Sequence, residues 1–203
     1  MADIFLGVFP AGRLCGVQLT RDSIVAAAVG ILDSYGLADM TMRRVATSLG
    51  VAPGALYWHI ANKQQLIAAI AEKILAPALS DAAGCTPAEL AARLRGAMLS
   101  RRDGAELVAA ALSQPDSATR AVVEKQLAQT LRGDEDLVRA GAAALLHLVL
   151  GATSLEQAQK QYSADTGAEP PAETSADFNR GVELLLAGLT AALQSGASPG
   201  EQL

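Results

Sequence analysis

The 203-residue sequence is poor in aromatic residues, in cysteine and in histidine. Aromatic residues make up only 3%, and there are two cysteines and two histidines. With so few aromatic side chains, the core has to be built from aliphatic ones. Cys15 and Cys85 lie far apart and lack a CxxC or histidine spacing, which excludes a disulfide framework and a cysteine zinc site. We expect both to be free thiols in a reducing compartment, as in a cytoplasmic protein.

Charge is also scarce, whereas alanine is abundant. Charged residues account for 18% and hydrophobic ones for 51%, including 42 alanines. This composition excludes an intrinsically disordered chain, which needs low hydrophobicity and high charge. Alanine and leucine favour helices, so the sequence predicts an all-α fold.

No apolar stretch of about 18 residues runs free of glycine or charge, which predicts that no segment spans a membrane. Residues 1–18 are apolar but have no basic start and are broken by Pro10 and Gly12, unlike a signal peptide. We expect this segment to be a mobile arm, or a start codon placed too far upstream.

The negative charge is distributed unevenly along the chain. The net charge is −5, yet residues 18–75 hold five basic and four acidic residues. Residues 76–203 hold ten basic and sixteen acidic residues. Contacts with nucleic acid phosphates are therefore expected in the N-terminal part.

Four helices are predicted between residues 20 and 75. Thr20, Thr41 and Asn62 are suited to cap three of them, and Pro53 suits the first position of the other. Gly36 and Gly50 end the first two, and the third is short, at about Pro53–His59. Three short helices joined by a tight glycine turn form a helix-turn-helix unit.

The rest of the chain also has a helical pattern. A capping box at Thr86-Pro87-Ala88-Glu89 starts a helix to about Arg101. Further helices are predicted at Asp103–Leu112, through Val122 to about Gly133, from Asp134 to about 160, and near 176–194. The pattern loosens at 77–84, and the polar residues 163–175 are expected to be a loop.

Residues 19–75 resemble the DNA-binding domain of the TetR family of bacterial repressors. The resemblance is carried by T-M-R-R-V-A from Thr41, L-G-V from Leu49, A-L-Y-W-H-I from Ala55 and N-K-x-x-L from Asn62. Weaker similarity to the tetracycline-repressor branch extends over most of 19–195. It implies a helix-turn-helix domain at 19–65 and an effector-binding and dimerisation domain at 66–195. Residues 1–18 and 196–203 would flank them as an arm and a flexible tail.

The resemblance implies a homodimeric transcriptional regulator, most often a repressor, that binds palindromic double-stranded operator DNA and is released by a small molecule. Arg43 matches the arginine that reads guanine. Pro53, Gly54 and Ala55 match the base-facing start of the recognition helix, and Tyr57, His59 and Lys63 match phosphate contacts. Arg44 is expected to be a solvated charge or a phosphate contact, and Leu56 and Trp58 are expected in the core.

The effector side departs from the tetracycline repressors. Val108 stands where they place a histidine metal ligand, and Leu90 and Leu94 are apolar where drug contacts are expected. Since Mg²⁺ needs oxygen ligands, this favours a small hydrophobic effector with no metal or cofactor. His147 is interpreted as a core or interface residue, or as an effector contact. Glu156 and Gln157 are expected at a pocket mouth or in solvent, and Arg102 is expected to pair with Asp103.

Two other functions stay open from the sequence. An activator, or a regulator without a small-molecule inducer, has the same DNA-binding signature. A small helical enzyme has little support, because the sequence contains no HExxH, GxSxG, Walker or dinucleotide-binding motif.

Overall fold

A computed structural model describes residues 19–80, 82, 84–169 and 174–196. Within this part the chain forms helices and no strand, which confirms the all-α prediction. The helices are α1 (Arg21–Tyr35), α2 (Met42–Ser48), α3 (Pro53–Leu56), α4 (Lys63–Leu79), α5 (Pro87–Leu99), α6 (Gly104–Leu112), α7 (Ala118–Thr130), α8 (Glu135–Thr166) and α9 (Thr174–Gly196). The predictions for residues 1–18, for Cys15 and for the tail beyond 196 lie outside the described residues. The Cys85 Sγ accepts a hydrogen bond from Arg93 Nη1 at 3.2 Å.

Side-chain caps start the helices where the sequence predicts. The Thr86 hydroxyl accepts from the Glu89 N–H at 3.2 Å, and Glu89 accepts from the Thr86 N–H at 2.8 Å. The Asn62 side chain likewise accepts from the Gln65 N–H at 2.8 Å, at the start of α4. Each cap satisfies backbone donors that the first turn of a helix leaves unpaired, so these starts follow from local chemistry.

Three helix ends differ from the prediction. Helix α3 stops at Leu56 rather than His59, after a single turn. Helix α4 continues past Pro77 to Leu79, because Ala78 remains buried in the core and packing keeps that last turn helical. Helix α8 extends four residues into the predicted loop, until Gly167 at φ 70° ends it by donating to the carbonyl of Ser163.

Helix α8 organises the C-terminal part of the molecule. It packs against α5, α6, α7 and α9, while α4 joins this group through α5 and α6 and also contacts α1. The core is aliphatic, as the scarcity of aromatic residues predicts. Helices α8 and α9 approach closely where Gly141 faces Leu189, since a Cβ at Gly141 would lie 2.9 Å from a methyl of Leu189.

Among the described helices, α8 is long and apolar enough to cross a bilayer by length and composition. A long core or interface helix meets the same criterion, and 33% of the most apolar window of α8 is buried inside the protein. Length and composition therefore do not identify a membrane span here.

A buried ion pair ties three helices together. Glu156 on α8 is only 4% exposed and accepts from Arg95 Nη2 and from Lys160 Nζ, each at 2.6 Å. Arg95 on α5 also donates to the Ser175 hydroxyl at 2.9 Å and lies 5.2 Å from the Phe178 ring centre, both on α9. Of the two alternatives for Glu156, a pocket mouth or solvent, exposure to solvent is therefore wrong, because its carboxylate is held inside by two cations.

Burial raises the pKa of the Glu156 carboxyl, but the hydrogen bonds and charges of Lys160 and Arg95 lower that pKa by more. The net result is a pKa below the ordinary value for glutamate. The ion pair therefore stabilises the fold above the unfolded-state pKa of about 4.3, and this stabilisation is lost as pH falls through the lowered native pKa.

We predict that Glu156→Gln lowers the free energy of unfolding at pH 7 by about 1–3 kcal/mol, because it removes charge-assisted hydrogen bonds. The loss should shrink below about pH 4, where the native carboxylate also becomes protonated. Urea titrations of both proteins at pH 7 and pH 3 measure this. Equal stability of the two proteins at pH 7 would contradict the stabilising role of the ion pair.

Candidate nucleic-acid interface

Helices α2 and α3 form a tight helix-turn-helix. The Thr41 hydroxyl caps α2 by accepting from the Arg44 N–H at 3.1 Å. The chain reverses at Gly50, with φ 68°, and the Val51 N–H donates to the carbonyl of Ala46 at 3.1 Å. Helix α3 then begins at Pro53, whose missing N–H would have no helical partner at this position.

The predicted DNA contacts are presented outward from this unit. Arg43, Pro53, Gly54, Tyr57 and His59 are exposed, and Ala55 and Lys63 are half-buried. A Cβ at Gly54 would meet no atom within 4 Å, so the start of α3 is open to a groove. Their accessibility permits the predicted contacts; which of them touch DNA stays a prediction.

The expectation that Trp58 belongs to the core is wrong. Trp58 is 90% exposed, whereas Leu56 is fully buried, as predicted. The physical reason is the four-residue spacing of Leu56 and Ile60, which both enter the core and leave Trp58 on the opposite side. That spacing is visible in the sequence and was sufficient to place Trp58 outside.

Arg44 is neither fully solvated nor free of partners. Its Nη1 donates to the Asp39 carboxylate at 2.7 Å, and its guanidinium lies 3.8 Å from the centre of the Tyr35 ring. It therefore fixes the start of α2 against the end of α1. The neighbouring Arg43 is the exposed cation of the pair.

The turn between α5 and α6 touches the N-terminal helices at three points. Arg101 pairs with Asp33 at 2.7 Å, and Arg102 donates to the carbonyl of Ser34 at 3.3 Å. The Asp103 carboxylate accepts from the Leu37 N–H at 2.7 Å. The expected pairing of Arg102 with Asp103 is therefore replaced by separate bonds, from Arg102 to the last turn of α1 and from Asp103 to the segment that follows α1, at the junction of the two predicted domains.

The predicted effector residues separate into three settings. Leu90, Leu94 and Val108 are buried in the core between α5 and α6. His147 is exposed on α8, so it is not the hydrogen-bonded core residue that the sequence allowed. Glu156 is held in the ion pair described above. Their contact with an effector stays a prediction.

Clefts in the described part of the chain lie along the C-terminal half of α8. One of about 400 Å³ is lined by residues of α6 and α8, including Glu106, Gln157 and Tyr162. A second, of about 300 Å³, shares Asp103, Gln157 and Gln161 with the first and extends over the α5–α6 turn. Within the same residues, no three histidine, cysteine or acidic side chains cluster as a metal site.

The chain belongs to the TetR family of DNA-binding transcriptional regulators. Residues 24–70 match the sequence pattern of the family described as bacterial regulatory proteins, tetR family. The class E tetracycline repressor of Escherichia coli is 30% identical over 196 residues, which cover 87% of this chain and 93% of the repressor. The class D repressor from the same organism is 32% identical over 75% of this chain and 73% of its own length.

Solved structures give the same result. Mycobacterium smegmatis BioQ is 40% identical and superposes with a TM-score of 0.78, covering 86% of this chain and 99% of BioQ. BioQ bound to its natural double-stranded DNA operator matches over the same shares, with a TM-score of 0.73. These relatives are regulators rather than enzymes, and they include repressors.

The contrasting positions of Leu56 and Trp58 give a direct test of this surface. We predict that Leu56→Ala lowers the free energy of unfolding by about 2–5 kcal/mol, because it leaves a cavity under α3. Trp58→Ala should change it by less than about 0.5 kcal/mol, as at an ordinary surface position. Thermal melts of the two variants measure the difference, and a large loss of stability for Trp58→Ala would mean that the indole packs inside the protein.

Proposed function

We propose that this protein is a homodimeric repressor that binds a palindromic operator and is released by a small hydrophobic effector. The proposed organisation is a DNA-binding domain at 19–65 and an effector-binding and dimerisation domain at 66–195, in the cytoplasm. The family membership and the BioQ–operator complex support DNA binding. Beyond DNA binding, we propose that the protein is a dimer, that an effector releases it from DNA and that it represses transcription.

The proposal of a dimer is supported by an exposed stripe of residues along α8. Seven residues, three or four positions apart, lie on one face of the helix and are all exposed: Ala140, Ala144, His147, Gly151, Leu155, Ala158 and Tyr162. Leu155 is 61% exposed and Tyr162 is 65% exposed. An apolar stripe of this length exceeds what a monomer usually leaves in water, which favours burial against a second copy.

Small residues on the same face would allow a close approach. Gly151 lies in the stripe, and a Cβ there would meet no atom of the described residues within 4 Å. Glycine in an exposed helix costs about 1 kcal/mol relative to alanine, and no intrachain contact explains it. Helix α9 adds Leu184 and Gly188, both exposed, beside α8. The two helices from each subunit would form a four-helix interface.

We predict that the protein sediments as a dimer, with about twice the chain mass of 20.8 kDa, and that Gly151→Arg shifts it to a monomer at micromolar concentration. Gly96→Arg is the matched control, because Gly96 is an equally open glycine on α5, outside the stripe. Analytical ultracentrifugation measures all three proteins. A monomeric native protein, or a dimer unaffected by Gly151→Arg, would overturn this interface.

For DNA reading we propose a division between base and phosphate contacts. Arg43 would donate two parallel hydrogen bonds to a guanine, while Pro53, Gly54 and Ala55 would contact bases through apolar atoms alone. Tyr57, His59 and Lys63 would hold phosphates, which positions the protein without selecting sequence. Arg44 is bound to Asp39 through Nη1, so a phosphate contact would use its other guanidinium donors or replace that ion pair.

We predict that Arg43→Ala weakens operator binding about 10- to 100-fold and flattens the preference at one G·C pair in each half-site. Arg43→Lys is the matched control, because it keeps the charge but loses the bidentate geometry. Both variants should lose the base preference, and Arg43→Lys should retain more affinity for random DNA. A competition assay measures this, in which all single-base variants of the DNA site selected by the wild-type protein compete for binding. A preserved G·C preference in Arg43→Ala would mean that Arg43 only contacts phosphate.

For the effector we propose a small hydrophobic molecule that enters between α5 and α6, against Leu90, Leu94 and Val108. These side chains now fill the core, so binding would require the helices to part. Two other residues, His147 and Glu156, were also predicted to contact the effector. His147 lies on the proposed dimer face. Glu156 would contribute at the edge of the site, next to Arg95. An effector releases DNA only if it binds the DNA-free conformation more tightly.

We predict that magnesium and tetracycline together do not release the protein from DNA. Val108 offers no ligand to the metal, and Leu90 and Leu94 offer no hydrogen bond to the drug. Isothermal titration of the protein with tetracycline and Mg²⁺ should show no binding at submicromolar concentrations. Tight binding that EDTA abolishes would refute the proposed effector class.

A further inference from the structure

Helix α6 is hydrogen-bonded to the N-terminal helices at both of its ends. At the first end, Asp103 accepts from the Leu37 N–H, between α1 and α2. Just past the other end, Gln114 Nε2 donates to the carbonyl of Gln64, in the first turn of α4. Lys63 is the first residue of that turn, and Asn62 caps it. A shift of α6 would therefore move two points of the DNA-binding unit together.

The bond to Leu37 depends on an uncommon backbone conformation. Asp103 has φ 52° and ψ 21°, the one left-handed conformation of a non-glycine residue among the described residues. Residues other than glycine adopt this conformation rarely, so the surrounding contacts have to hold Asp103 in it. Glycines permit the close approach: a Cβ at Gly36 would lie 2.6 Å from Asp103 Oδ2, and one at Gly104 would collide with the carbonyl oxygen of Met98.

A single side chain on α8 holds this turn from the opposite side. Gln157 Nε2 donates to the carbonyl of Arg101 at 2.7 Å, and Gln157 Oε1 accepts from the Ala105 N–H at 2.9 Å. The amide therefore bridges the residues on either side of the Arg102–Asp103–Gly104 segment. One primary amide satisfies a carbonyl and an N–H together, and a carboxylate cannot do so.

We propose that Gln157 is a positioning residue for DNA binding, which holds the α5–α6 turn so that Asp103 keeps the helix-turn-helix in its DNA-competent orientation. Gln157 touches no proposed DNA contact and acts through Asp103 and Leu37. It also lines both clefts beside α8, so a solute in either one lies next to the bonded amide. The role in DNA binding rests on the proposed function, whereas the bridge itself does not.

The test compares Gln157→Glu with Gln161→Glu. The first change places a carboxylate against the Arg101 carbonyl. The second makes the same change one turn later on α8, where the Gln161 amide bonds to Asp165 and lines the same clefts. Gln157→Ala serves as a second variant, because it removes both bonds without adding charge. Hydrogen–deuterium exchange of the full-length proteins reports on residues 34–40, which contain the Leu37 amide.

We expect faster exchange at residues 34–40 in both Gln157 variants and not in Gln161→Glu. The oligomeric mass of every variant and the exchange in α7 should stay unchanged. Binding to the palindrome that the wild type selects from a random pool should weaken at least about fivefold, with little change on random DNA. Unchanged exchange at 34–40, or equal effects of Gln157→Glu and Gln161→Glu, would overturn the bridge. Faster exchange with full operator affinity would overturn its role in DNA binding. A wild type that selects no DNA would defeat the proposed function, while the exchange comparison would still decide the bridge.

Discussion

In our proposal, the hydrogen bond between the Leu37 N–H and the Asp103 carboxylate sets the orientation of the DNA-binding unit. It joins residues 66 positions apart and is flanked by the Arg101–Asp33 ion pair and the Arg102–Ser34 bond. A dimer that reads a palindrome needs its recognition helices at a fixed separation, about one helical turn of DNA. We propose that the polar contacts of the α5–α6 turn, together with the Gln114–Gln64 bond, contribute to fixing this separation.

Helix α8 serves two different surfaces. One face, including Leu145, Leu146 and Val149, is buried against α5, α6 and α7. The opposite face carries the exposed stripe that we assign to the partner subunit. Because Gln157 lies on the same helix, we propose that a rearrangement of α8 reaches the α5–α6 turn through this side chain, in addition to the direct packing of α8 on α5 and α6. This links the proposed effector site with DNA release, without a direct contact between the two.

Local chemistry in the sequence was enough to predict the fold class, most helix starts and the helix-turn-helix. The Thr86–Glu89 capping box and the Asn62 cap each join residues only three positions apart, so their roles are visible in the sequence. The sequence did not predict the partners of Glu156 or Asp103, because Arg95 and Leu37 lie 61 and 66 positions away. The prediction for Trp58 was wrong for another reason: the spacing of Leu56 and Ile60, which are both buried, places it outside.

The most direct test of the central claim is the stoichiometry and footprint of the complex with DNA. The chain would be mixed with the palindromic duplex that it selects from a random pool, then examined by sedimentation and by DNase protection. We expect two chains per duplex and two protected half-sites whose centres lie about 10–10.5 base pairs, or a small multiple of one turn, apart. One chain per duplex with a single protected half-site would contradict a dimeric reader of palindromic DNA.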